Sequence, residues 1–311
     1  MSSRLTFTPC THTALATALV LAGAFLAGCE DSSEESLSVV AFGDWGTGDA
    51  DQQSVADALA TYCKNEGCDM GWLLGDNFYP AGVTSVDDPQ WDAKFVDMYR
   101  GLDIPFYAVL GNHDYGSGQE GAMSQVAYSD VNPDWVMPNI FNVFQTDQAL
   151  VLALDTTLIG LGDPDATEGQ AAVFANALGR SDAPWRIAFG HHPYLSDGIH
   201  GNAGSYDGVT GNGNLVKAFF DQVLCGKVDL LLAGHDHNLQ VLKGPGDCPG
   251  TFVVAGGGGA PRYELPARDG NTSKFSESAL GFAHLVMKRK SIRVRLVDEH
   301  AKVLYETTLK K

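Results

Sequence analysis

Apolar residues in this chain fall in short runs broken by polar and glycine-rich stretches. Seven runs, at 37–42, 70–74, 106–110, 150–154, 186–189, 228–233 and 251–255, have the length and the β-branched and aliphatic character of strands. Helical stretches at 50–62, 91–100, 169–178 and 215–224 fall between several of them. That alternation predicts an α/β fold. Near the end, 281–287, 291–297 and 302–308 read as consecutive antiparallel strands. A layered α/β/β/α sandwich, two mixed sheets flanked by helices, accommodates both patterns. No repeat or second linker interrupts 37–311, so that span reads as one domain.

The early strands share an ending. A glycine followed by a polar residue closes them at Gly43-Asp44, Gly75-Asp76, Gly111-Asn112, Gly190-His191 and Gly234-His235. Ligands of open α/β sheets bind outside the carboxyl ends of strands. The spacing therefore predicts five loops converging on one pocket. Stretches 115–140, 157–168 and 194–213 are expected to be the loops that shape it.

The start of the chain has another pattern. Residues 1–28 hold one charge, Arg4, and an apolar Ala/Leu-rich run at 14–27. The run is short for a membrane span and reads as a secretory signal. It ends in Leu26-Ala27-Gly28-Cys29, which resembles a bacterial lipobox. The expectation is an exported protein touching a membrane only through a lipid on Cys29; a plain signal peptide is the alternative. Residues 29–36 are acidic and small and read as a flexible tether.

Composition narrows the partners. The net charge of −18 argues against nucleic acid and against long-range attraction of large anions. An anionic substrate would need a local positive centre, which a metal supplies. Cys63, Cys68, Cys225 and Cys248 remain beyond the tether, an even number that suggests disulfides in an exported chain. Of three connectivities, 63–68 and 225–248 each close a local loop. The spacings do not match a zinc cluster.

The strand-end loops carry Asp44, Asp76, Asn112, His113, His191, His235 and His237. Singly, each is an ordinary turn, cap or surface residue. Jointly, carboxylates and imidazoles in five loops describe a site for first-row metals. Two metals sharing one carboxylate can clamp both oxygens of an in-line phosphoryl displacement.

The ordered blocks Gly43-Asp44-Trp45-Gly46, Gly75-Asp76-Asn77-Phe78-Tyr79, Gly111-Asn112-His113-Asp114, Gly190-His191-His192-Pro193 and Gly234-His235-Asp236-His237 resemble the calcineurin-like metallophosphoesterase superfamily. Position 46 is Gly where that superfamily usually has His, and Tyr79 follows Asp76 by three. This exchange is similar to the purple acid phosphatases of the small tartrate-resistant type, as are Leu154-Asp155-Thr156 and the run 234–240. The resemblance implies an acid phosphatase that attacks phosphomonoesters with a metal-activated hydroxide. It implies Fe(III) on Asp44, Tyr79 and His237, a divalent Fe, Zn or Mn on Asn112, His191 and His235, and Asp76 bridging the two. It further implies that His113 and His200 contact phosphate or protonate the leaving group. Asp114 is expected to orient His113. His192 departs from the family pattern and is either a supporting residue or a competitor for the ligand role of His191. Two rivals stay open: a phosphodiesterase or nucleotidase with Mn or Zn, and a non-catalytic protein binding phosphate or iron.

Overall fold

The computed structural model describes residues 35–206, 212–246, 248, 250–266 and 270–311. The stretch read as a secretory signal, Cys29 and the expected tether up to residue 34 lie outside the described residues. Residues from Glu35 onward form one compact unit.

Two seven-stranded mixed sheets make the centre. Along the chain the elements are β1 (Leu37–Phe42), α1 (Ala50–Glu66), β2 (Met70–Leu73), α2 (Asp97–Tyr99), β3 (Phe106–Ala108), α3 (Gly118–Ala127), β4 (Trp135–Val136), β5 (Asn142–Gln145) and β6 (Ala149–Ala153). Then come α4 (Thr156–Leu161), α5 (Pro164–Arg180), β7 (Trp185–Phe189), α6 (Gly213–Phe219), β8 (Leu230–Ala233), β9 (Leu239–Lys243) and β10 (Thr251–Ala255). The chain closes with β11 (Thr272–Glu277), β12 (Gly281–Lys288), β13 (Ser291–Asp298) and β14 (Val303–Lys310). One sheet has the order β14-β13-β12-β1-β2-β3-β4 and the other β11-β9-β10-β8-β7-β6-β5. Within them β1-β2-β3-β4 and β6-β7-β8-β10 pair in parallel.

Side-chain alternation builds four layers. Val39 and Ala41 of β1 face the second sheet and meet Val151, Ile187 and Leu232. Val40 and Phe42 face the other way, onto Val55 and Leu59 of α1. In β6, Val151 faces inward while Leu150 and Leu152 lie with Phe174 of α5 and Phe219 of α6. Strands buried on both faces read as unbroken apolar runs, which is why these were visible in the sequence.

Some expectations need correction. The helix expected at 91–100 is formed over residues 90–99 but is irregular, with a π-turn at Asp92–Val96 running into α2. The one expected at 215–224 likewise ends in a π-turn at Phe220–Leu224. Stretch 115–140 is not simply loop, because it contains α3, whose buried face is Gly121, Ala122 and Gln125, too small and polar to show as an apolar stripe. Stretch 157–168 is α4 and the start of α5. Both local disulfides, Cys63–Cys68 and Cys225–Cys248, are formed. Among the described residues no helix is long and apolar enough to cross a membrane.

Candidate metal centre

The carboxyl ends of β1, β2, β3, β7 and β8 meet at one place. Asp44, Asp76 and His235, the first polar residues after three of them, have φ of 60°, 50° and 69°. Non-glycine residues pay roughly 1–3 kcal/mol each for such conformations and cluster where function fixes them. The strain turns the peptide sharply out of the strand. The carboxylates then sit under the neighbouring loops: Asp44 Oδ2 accepts from the N–H of His235 (2.8 Å), and Asp76 Oδ1 from that of His113 (2.8 Å).

What remains of these side chains forms two donor sets. In the first, Tyr79 Oη lies 3.1 Å from Asp44 Oδ1, 3.0 Å from Asp76 Oδ2 and 3.3 Å from His237 Nε2, with His237 Nε2 3.5 Å from Asp44 Oδ1. In the second, His191 Nε2 lies 3.1 Å from Asn112 Oδ1, 3.1 Å from His235 Nδ1 and 3.3 Å from Asp76 Oδ2. Donors bound at ~2.1 Å around one ion stand about 3.0–3.4 Å apart in octahedral or tetrahedral shells. All of these separations but the 3.5 Å between His237 Nε2 and Asp44 Oδ1 fall within that spacing, and Asp76 Oδ2 belongs to both sets. Asp76 Oδ1 accepts from the His113 N–H, and Oδ2 is the oxygen near both Tyr79 Oη and His191 Nε2.

The donor chemistry also fits metal. His191 Nδ1 is paired with the Leu74 carbonyl (3.0 Å) and His237 Nδ1 with that of Pro261 (2.8 Å). A carbonyl accepts only, so both rings carry hydrogen on Nδ1 and turn a lone pair on Nε2 into the cluster. Asn112 Oδ1 and Asp76 Oδ2 are acceptors too, so the second set brings lone pairs together with nothing to separate them. Without a cation, protons must do it. Burial disfavours a charged His191, yet the Asp76 carboxylate outweighs it and lifts His191 to about 9. The same pairing, against burial, holds Asp76 well below the usual carboxylate range. Burial and the surrounding imidazoles push His235 far down, so it is neutral and able to ligate. Burial, Asp76 and Asp44 push the Tyr79 phenol well above its ordinary value.

Gly46 explains how Tyr79 arrives. A Cβ at position 46 would stand 1.8 Å from the Asn77 carbonyl oxygen and 2.8 Å from Phe78 Cα. The second loop lies directly on this glycine, and Tyr79 N–H donates to its carbonyl (2.8 Å). A side chain at 46, histidine included, and a tyrosine delivered by this route exclude one another.

Around the donor sets stand half-exposed rings. His113 lies 4.5 Å from the Tyr79 ring and pairs Nδ1 with the Pro80 carbonyl (2.8 Å). His200 stacks at 4.1 Å on His235. Tyr263, which sequence reasoning missed, stacks at 4.3 Å on His237 and stands edge-on to His200. No motif marks Tyr263; only the strand end after β10 hints that a further loop enters the site.

One residue differs from expectation, and another resolves to one of two alternatives. Asp114 does not orient the His113 ring. Its buried carboxylate accepts from Asn77 N–H (3.0 Å), Gly111 N–H (2.7 Å) and Gln125 Nε2 (2.9 Å). It ties the second and third loops together, and burial with the Asp76 charge raises it to about 7. His192 is buried behind the site, its Nδ1 2.9 Å from Thr156 Oγ1 and its ring tilted against His235. It lies near enough to His191 and His235 to be counted with them as a possible donor. The second set nevertheless closes through His191 without it.

A four-layer sandwich with such a cluster at its strand ends defines a metallophosphoesterase. Residues 37–239 match the family described as calcineurin-like phosphoesterase, and the chain belongs to that family. It is 28% identical over 327 residues to tartrate-resistant acid phosphatase type 5 of Homo sapiens, covering 94% of this chain and 96% of that one. It is 29% identical over 297 residues to purple acid phosphatase 4 of Arabidopsis thaliana, covering 87% and 83%. The purple acid phosphatase PPD1 from yellow lupin (Lupinus luteus) seeds shares the fold, with a TM-score of 0.68 and 17% identity over 89% of this chain and 54% of that one. So does GAP50, the anchor in the inner membrane complex of Plasmodium, with a TM-score of 0.72 and 22% identity over 88% and 89%.

Proposed function

We propose that this protein is a metal-dependent phosphatase that hydrolyses phosphomonoesters at a dinuclear centre of the purple acid phosphatase kind. The observation that carries the reading is the pair of four-atom donor sets sharing Asp76 Oδ2. Asp44, Tyr79 and His237 would hold Fe(III), Asn112, His191 and His235 a divalent Fe, Zn or Mn, and Asp76 both. When bound, such a pair neutralises phosphate charge and supplies an activated water.

The chain's own part is positioning and proton transfer. His113 stands against the Tyr79 ring and His200 on the His235 ring, and both would receive phosphate oxygens. Burial holds His200 below the ordinary histidine range against the pull of Asp236. It therefore enters as a neutral N–H donor. His113 keeps its Nδ1 on the Pro80 carbonyl and is half exposed, so its Nε2 is the position from which a proton can reach the leaving alkoxide. The acidic surface suits a compact substrate captured locally. An exported, lipid-anchored location through Cys29 remains part of this proposal.

Substituting Asp76 by Asn tests the core of it. Both donor sets lose their shared anion, so turnover of an aryl monoester should fall by at least about 10³-fold, with metal content dropping from two per chain. Full metal and activity in that variant would sink the reading. Faster turnover of a diester than of the monoester by the native protein would move it to the phosphodiesterases.

A further inference from the structure

His200 reaches the pocket on a short loop with an unusual anchor. Asp236 lies between His235 and His237 in sequence and is fully buried. Its Oδ1 accepts from the backbone N–H of His200 (3.1 Å), and its Oδ2 from Ser196 Oγ (2.5 Å). Ser196 Oγ itself accepts from Gly198 N–H (2.9 Å) and Gln240 Nε2 (2.9 Å). The oxygen's two lone pairs are thereby used, so its proton is committed to Asp236. Gln240 Oε1 takes the N–H of Asp197 (2.8 Å). Gly198 presses on the carboxylate so closely that a Cβ there would stand 2.2 Å from Asp236 Cγ.

Asp236 thus takes the backbone N–H of His200 directly and that of Gly198 through Ser196, while Asn202 (2.9 Å) and Asn271 (3.1 Å) hold the backbone of Ser196 at the loop's start; both sequence neighbours of that carboxylate belong to the donor sets. We propose that Asp236 is a positioning residue: it fixes the His200 loop over the donor sets, so that a phosphate-facing imidazole is placed by the same turn that supplies two metal ligands. The inference rests on the phosphatase reading and on the role of His200 within it. An amide at 236 cannot replace the carboxylate, since both partners it must satisfy are donors and its NH₂ would face one of them. Groups that act as a unit lose activity non-additively, and this is what separates positioning from general support of the fold.

The test is a double-mutant cycle on the metal-loaded protein, with kcat, KM and metal content measured for His200→Ala, Asp236→Ala and the two combined. His200→Ala should lower kcat about 10²-fold, within the range of lost acid–base and oxyanion groups. Asp236→Ala should lower it about 10- to 10²-fold with two metals retained, and the double variant should be no slower than His200→Ala alone. Gly198→Ala, which lies outside the metal-binding turn and pushes the loop off the carboxylate, should repeat the pattern and stands in if Asp236→Ala does not fold. Additive losses, loss of metal from Asp236→Ala, or unchanged kcat in both loop variants would overturn the positioning role while leaving the phosphatase reading intact. Unchanged kcat in His200→Ala would overturn both this inference and the role given to His200. A native protein that hydrolyses no phosphomonoester would fail at the earlier step.

Discussion

A phenol buried against two carboxylates keeps its proton unless a strong Lewis acid takes the proton's place. Tyr79 is in that position, with Asp44 and Asp76 both within 3.1 Å of its oxygen. A divalent zinc or manganese ion competes poorly for such a site, whereas Fe(III) favours a hard, strongly donating phenolate. The metal-loaded protein is therefore expected to show a visible phenolate-to-iron charge-transfer band. Tyr79→Phe removes the phenol oxygen and leaves the Asn112–His191–His235 set untouched. The variant should lose the band and keep one metal per chain, as read by absorption and metal analysis. A native protein that is colourless, active and loaded only with zinc or manganese would refute the iron assignment, though not the dinuclear site.

Between elements, the placement of that phenol depends on a glycine. Adding one methyl at Gly46 forces the strand-end loop of β1 away from the loop of β2, since its carbon would overlap the Asn77 carbonyl. Overpacking of this kind usually costs about 1–3 kcal/mol. Gly46→Ala should unfold at lower denaturant by that amount and should lose the iron band, because Tyr79 is displaced from Asp44 and Asp76. An intact band in a folded Gly46→Ala would show that the two loops separate without moving the phenol. The absence of a histidine at 46 and the presence of Tyr79 were both legible in the sequence, but the steric reason for their coupling was not. The same division runs through the fold. Doubly buried strands such as β1 and β10 announce themselves as apolar runs. The two-residue β4, the polar edge strand β11 and the small-faced α3 carry no periodic signal, and only tertiary packing defines them. At the site, every residue expected to ligate lies in one of the two donor sets, because ligands at strand ends are fixed by topology. Asp114, Asp236 and Tyr263 were misread or missed. Their partners come from other loops, and spacing along the chain does not reveal which way a carboxylate turns.

At the scale of the molecule, the C-terminal antiparallel strands must be held to the parallel half, and one buried histidine sits at that seam. His284 of β12 accepts or donates at 2.8 Å to Ser38 Oγ of β1 and at 3.0 Å to Tyr62 Oη of α1. Arg295 of β13 binds Tyr62 and Glu66 beside it. Burial first, then the charges of Arg295 and Arg293, against the pull of Glu66, push His284 down to about 4. An unfolded histidine titrates near ~6.5, so between these values the unfolded chain binds the extra proton and the folded one does not. The contribution is fully present above pH ~6.5 and is lost as the pH falls toward 4. For this one group the loss between pH 7.5 and pH 4.5 is about 2.5 kcal/mol. Replacing His284 by Gln, which keeps a hydrogen-bonding group but cannot titrate, should lower stability at neutral pH and flatten its decline in acid by that amount. Urea unfolding of both proteins at the two pH values measures it, and equal declines would mean that His284 is not the group involved.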